Sequence, residues 1–137
     1  MGTYAIELRD VTKRFLTPTG KAYTAIRDIN MTVAPGEFVA VVGPTGCGKS
    51  TTLGLISGLE RPSEGSVQVM GRSVQGVDPR IGYVFQTDAV FPWKNVINNV
   101  ATGPLFRSQP KAEALTRARD WIGRVGLSGF ENHYPHQ

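Results

Sequence analysis

The sequence has one cysteine, Cys47, in 137 residues, so no disulfide can form within the chain. It has two histidines, His133 and His136, both in a polar tail, where they read as solvated side chains rather than a metal pair. No apolar run is long enough to span a bilayer. The first residues lack a basic patch followed by an apolar stretch, so no secretory signal is expected. Ile6 stands where N-myristoylation needs Ser or Thr. The expected location is therefore the cytoplasm. Charged residues make up 19%, a little below the usual share, and the net charge is +4. Acidic residues interrupt the basic ones, and Arg107, Lys111, Arg117, Arg119 and Arg124 fall in one helical region as a solvated face. There is no basic stripe with interleaved aromatics, which argues against a nucleic-acid partner. No repeat or low-complexity segment is visible. With 40% hydrophobic residues, the length suits one domain with a real core.

What the chain does have is a phosphate-binding loop. Gly43 to Ser50 reads G-P-T-G-C-G-K-S, glycine, four residues, then Gly-Lys-Ser. Residues 37–42 before it form an apolar run of strand type, and Lys49 to Leu59 after it reads as a helix. Strand, glycine turn and helix form the setting in which backbone N–H groups of Gly46, Cys47, Gly48 and Lys49 converge on an anion. Gly46 and Gly48 lack Cβ atoms, so a phosphate can approach and φ can turn positive. Lys49 supplies a mobile charge for the terminal phosphates, and Ser50 a hydroxyl for Mg²⁺. Cys47 sits beside Lys49 at the helix start, where a thiol pKa tends to fall. No histidine neighbours it in sequence, so a nucleophilic role is not supported.

Around the loop, Tyr4 to Leu8 and Val11 to Leu16 read as strand, and Thr17 to Lys21 as a turn. Tyr23 to Val33 places Ala25, Ile29, Met31 and Val33 at partial period two. These strands are joined by short turns, which predicts antiparallel pairing. Gly58 and Pro62 stop the loop helix. Gly65 to Met70 alternates as a strand, and Ile81 to Phe85 is expected as another that delivers Gln86. Phe91 to Trp93 is a stiff aromatic loop, after which Val96, Asn99 and Val100 share a helical face. Leu115, Ala118, Ile122 and Val125 mark a last helix, with Pro110 in its first turn, Ser108 as cap and Gly126 as its end.

The order of these pieces resembles the ATP-binding subunit of an ABC transporter. Leu8 to Phe15 resembles the family's opening strand. Gly36 to Thr52 resembles its Walker A region, and Gly58 to Gly65 the turn after the helix. Val84 to Gln86 resembles the Q-loop, and Phe91 to Val100 the segment after it. The Phe-Pro-Trp form after the Q-loop leans toward importers of the nitrate, sulfonate and taurine type. The resemblance implies an α/β P-loop NTPase fold, here incomplete. It would hold an antiparallel β-subdomain, the P-loop strand and helix, and part of the helical subdomain, with residues 1–94 and 95–137 as the two parts. It implies ATP and Mg²⁺ as cofactors. Phe15 would stack on adenine, with Tyr23 as the competing aromatic. Gly43, Thr45, Gly46, Cys47, Gly48, Lys49, Ser50 and Thr51 would hold the phosphates. Lys49 and Gln86 would be the catalytic groups, and Ser50 and Gln86 would meet the metal. Phe91, Pro92 and Trp93 would face a membrane subunit. Implied partners are two transmembrane permease subunits, a second ATPase subunit and, indirectly, a solute-binding protein, at the inner face of the membrane.

The family's pattern continues with Leu-Ser-Gly-Gly-Gln, a Walker B aspartate, a catalytic glutamate and a switch histidine. None occurs in these residues. Leu127 to Phe130 lacks the second glycine and sits too early to be that signature. These residues alone are therefore expected to bind nucleotide without turning it over; a non-catalytic binding module is the alternative function.

Overall fold

A computed structural model describes residues 4–87 and 89–137. The chain divides into two compact units, Met1–Val84 and Phe85–Gln137.

The first unit is built on a four-stranded antiparallel sheet. Strands β1 (Ile6–Leu16), β2 (Ala22–Val33), β3 (Glu64–Val69) and β4 (Arg72–Ser73) lie in the order β2-β1-β3-β4. The β1–β2 hairpin closes through the expected turn, with Thr17 N–H donating to Lys21 O at 2.8 Å. The two segments expected before that turn are one strand with an irregular register between Leu8 and Val11. The irregularity coincides with positive φ at Asp10 (49°), and Asp28 on β2 does the same (50°). Thr12 Oγ1 accepts from Asp28 N–H at 3.1 Å, and Asn30 exchanges hydrogen bonds with Asp10. Local side chains thus stabilise backbone turns that would strain most residues.

Helix α1 (Lys49–Ser57) packs against this sheet. Leu55 and Ile56 join Leu8, Val11, Ile26 and Val67 in the core. Leu55 is fully buried, which contributes about 2 kcal/mol relative to exposure. Gly58 ends the helix at φ 77°, where a Cβ would stand 2.0 Å from Gly76 O. In the loop beyond β4, Arg80 donates side-chain hydrogen bonds to Asp78 and holds its carboxyl pKa down to about 2.

Two expected strands do not form. Residues 38–44 and 81–85 carry no strand assignment. Strand-type composition is only a preference for a pleated, half-buried surface, and a strand exists through its ladder. Among the described residues neither run has a ladder partner. Several of their apolar side chains are exposed: Phe38 and Val84 are each 95% exposed and Val42 is 87%. Apolar backbone in this state is a template for pairing with another chain. We predict concentration-dependent association of the chain in analytical ultracentrifugation, weakened by Phe38→Glu. A monodisperse monomer with one cooperative, high melting transition would contradict this.

The second unit holds α2 (Val96–Phe106) and α3 (Lys111–Arg124). Their seam is Ile97 and Ala101 against Ala114, Ala118 and Ile122, each at helical spacing. Ala118 and Ile122 are the expected residues of α3, and on α2 the expected Val96 packs against the seam, but Ile97 is buried and Val100 is exposed. Val125 is the C-cap of α3 and is exposed rather than part of the seam. Pro110 is the N-cap without a side-chain cap bond, so Ser108 does not serve as one. Gly126 does end the helix, at φ 76°. Gly126 N–H reaches Gly123 O (3.1 Å) and Leu127 N–H reaches Ile122 O (2.9 Å), the paired bonds of a Schellman turn. Leu127 thus has a local structural role. The first amides of α2 are satisfied from the tail: Val96 N–H by His133 O and Ile97 N–H by Glu131 O. No helix among the described residues is long and apolar enough to cross a membrane.

Candidate nucleotide site

The loop between residues 43 and 48 is shaped by what its glycines permit. Gly46 and Gly48 have φ of 83° and 96°. Gly48 is the N-cap of α1, and a Cβ there would sit 2.2 Å from Ile26 Cγ2, inside the sheet's core contact. Gly48 is therefore required by packing as well as by φ. Around Gly46 a Cβ would meet nothing within 4 Å, so its omission leaves open backbone that a ligand can reach. At Gly43 a Cβ would lie 2.7 Å from Cys47 Sγ, so this glycine makes room for the thiol.

Lys49 bends back into the arc. Its Nζ donates to Gly43 O and Pro44 O, both at 2.7 Å, and lies 3.6 Å from Cys47 Sγ. An ammonium has three donors, and a thiol is a weak acceptor. Two N–H groups therefore hold the loop in its curve, and the third is directed to the poorest of the three partners. An anionic oxygen would displace that thiol readily.

Helix α1 adds its own terminus. The amide of Thr52 is the first of the helix to donate to a backbone carbonyl, Gly48 O at 2.9 Å. The amides of Lys49, Ser50 and Thr51 precede it and belong to the first turn, which every helix leaves without intrahelical acceptors. With the helix dipole they make a positive concavity. Thr52 Oγ1 folds back on Gly48 O at 3.0 Å, whereas Ser50 Oγ has no hydrogen-bond partner among the described residues. An exposed, unengaged hydroxyl beside a phosphate cradle suits Mg²⁺, which takes few protein oxygens and completes its shell with water and phosphate. No cluster of three His, Cys, Asp or Glu that could hold a metal occurs among the described residues.

The structure brings Gly43, Gly46, Cys47, Gly48, Lys49, Ser50 and Thr51 together in one loop and helix start, with Thr45 exposed in the same loop. Phe15 lies in the same unit, half-buried near the end of β1, directly opposite Tyr23 in the β1–β2 register. The two competing aromatics are thus one cross-strand pair on one face. Gln86 is exposed and belongs to the second unit. There, Asn99 shapes the aromatic loop: its Oδ1 accepts from Phe91 N–H (2.8 Å), and its Nδ2 donates to Phe91 O and Lys94 O. Lys94, which no sequence signal singles out, lies over the Phe91 ring and donates to Thr102 Oγ1 at 2.8 Å.

A family model described as ABC transporter matches residues 26–137. The chain belongs to the ABC transporter family. It is 43% identical over 134 residues to the spermidine/putrescine import ATP-binding protein PotA of Rubrobacter xylanophilus, covering 96% of this chain and 34% of that protein. It is 42% identical over 111 residues to the taurine import ATP-binding protein TauB of Pseudomonas aeruginosa, covering 81% of this chain and 42% of that protein. Among solved structures, a dimeric post-hydrolysis state of the ATP-binding cassette MJ0796, bound to ADP and Pi, superposes with a TM-score of 0.83 at 30% identity. That match covers 96% of this chain and 62% of the cassette. The chain therefore spans less than half the length of these curated ABC relatives. Its fold is part of an ABC ATPase cassette, the incomplete P-loop domain expected from the sequence. Similarity is nearly level between the polyamine and taurine proteins, so it does not single out a solute.

Cys47, in the loop between Gly43 and Gly48, is a free and exposed thiol. We predict that saturating MgATP slows its alkylation by a small thiol reagent. Identical rates with and without nucleotide would place the thiol outside the site.

Proposed function

We propose that this chain is the N-terminal part of the ATP-binding subunit of an ABC importer, and that it binds ATP with Mg²⁺ through residues 43–51. The observation that carries the reading is the Lys49 ammonium. It sits 2.7 Å from two carbonyls of the loop that leads into α1, with its third donor poorly used. Phe15 offers the base an aromatic face, and Ser50 offers the metal a hydroxyl. Gln86 meets the metal and the terminal phosphate. Residues 1–94 serve as the β-subdomain and P-loop core, and 95–137 as part of the helical subdomain. Phe91, Pro92 and Trp93, with Trp93 70% exposed, face a transmembrane permease subunit. A second ATPase subunit completes each site, and a solute-binding protein acts indirectly. The protein works in the cytoplasm at the inner face of the membrane, coupling ATP binding and hydrolysis to uptake in a longer form. The deciding experiment is an ATP titration of the chain and its Lys49→Ala variant.

A further inference from the structure

Lys13 is two residues before Phe15 on β1 and therefore shares its face of the strand. Its side chain is only 13% exposed. The ammonium is held at three points: 2.8 Å from Glu60 Oε2, 2.9 Å from Arg61 O, and 4.7 Å from the centroid of the Phe15 ring. The first two contacts come from the turn after α1. That turn is itself tied to the helix, because Glu60 N–H donates to Gly54 O at 3.0 Å. Helix α1 thus carries the phosphate loop at its start and, through Glu60, an anchor for Lys13 near its end.

We propose that Lys13 is a positioning residue for recognition of the nucleotide base. It occupies one face of the Phe15 ring and so fixes the plane in which the other face meets a purine. A phenyl ring has one soft torsion at its base, and a cation over its face opposes rotation toward an edge-on pose. Because the cation is clamped by Glu60 and Arg61, the ring's orientation is referred to the same helix that presents the phosphate cradle. The distance between base platform and phosphate site is set through α1, not by the hairpin alone. This inference rests on the reading of Phe15 as the base platform.

The test compares ATP with inorganic tripolyphosphate, which has the charges and no base, by isothermal titration of the wild-type chain, Lys13→Met, Lys13→Arg, Phe15→Ala and the double variant Lys13→Met with Phe15→Ala. Lys13→Met should weaken ATP binding about three- to tenfold, the usual worth of a partly shielded cation–π contact, and leave tripolyphosphate unchanged. Lys13→Arg should restore most of the loss, since a guanidinium also stacks on a ring. In the Phe15→Ala background Lys13→Met should cost nothing more. Equal loss of both ligands would make Lys13 a structural residue and overturn the proposal. So would a loss of ATP that persists without Phe15. If Phe15→Ala itself leaves the ratio of the two affinities unchanged, the aromatic platform is elsewhere and the proposal falls with it. If Phe15→Ala lowers that ratio and Lys13→Met does not, the platform stands and Lys13 alone is excluded.

Discussion

Lys49→Ala is expected to weaken ATP binding by at least tenfold, about 1.4 kcal/mol. Two losses combine. The first is the charge itself, a point cation at the place where the β- and γ-phosphates would lie. The second is the loop's curvature. Lys49 Nζ ties together Gly43 O and Pro44 O. Without it, the loop's backbone closure rests on Cys47 N–H to Pro44 O, a long 3.4 Å. A less curved loop holds its amides in poorer register for an anion. The helix should survive, because α1 is anchored through Leu55 and Ile56 in the sheet core and not through Lys49. Circular dichroism of the variant should therefore match the wild type. Equal ATP affinity in the two proteins, with unchanged helix content, would remove the P-loop assignment.

The loop is readable in the sequence because its chemistry is local. Positive φ at Gly46 and Gly48 and a lysine at the helix start follow from eight consecutive residues. The hairpin is readable for a similar reason, since a short turn dictates antiparallel pairing. What is lost depends on partners distant in sequence. Alternation along β2 points to Ala25, but the buried residue is Ile26. The extra residue at Asp28 shifts the inward phase by one, so Ile26 and Ile29 both face the core side. Composition does not announce a bulge of that kind. Residues 37–42 look like a strand because Phe38, Val39, Val41 and Val42 favour one, yet a ladder needs a neighbour, and none of the described strands pairs with them. Lys13 gives no sign of itself in the sequence. Its meaning comes from Glu60 and Arg61, nearly fifty residues away, and no periodicity connects the two. In the second unit Ala118 and Ile122 of α3 are buried as their period predicts, whereas on α2 the buried residues are Ile97 and Ala101 and Val100 is exposed.

Steady-state phosphate release by these 137 residues is expected to be negligible, several orders of magnitude below a turnover of about one per second. Phosphoryl transfer leaves little covalent chemistry to the protein, so catalysis is positioning and charge stabilisation. Three groups in the chain can contribute. Lys49 can neutralise charge, Ser50 can offer the metal one oxygen, and Gln86 can supply a further contact. No carboxylate is found where a Walker B aspartate would follow an apolar strand, and no glutamate follows it to orient water. No signature is present for a second copy to place on the terminal phosphate. Losing one preorganised contact commonly costs a factor of about a hundred or more, and here several are missing from the same transition state. On the proposed reading binding is affected far less, because the ground-state contacts to the phosphates would come from the loop and helix that are present. The expected pattern is thus measurable ATP affinity with no turnover above that of Lys49→Ala, which serves as the contamination control. Phosphate release near one per second that disappears in Lys49→Ala would overturn this and show that residues 1–137 carry a complete catalytic apparatus.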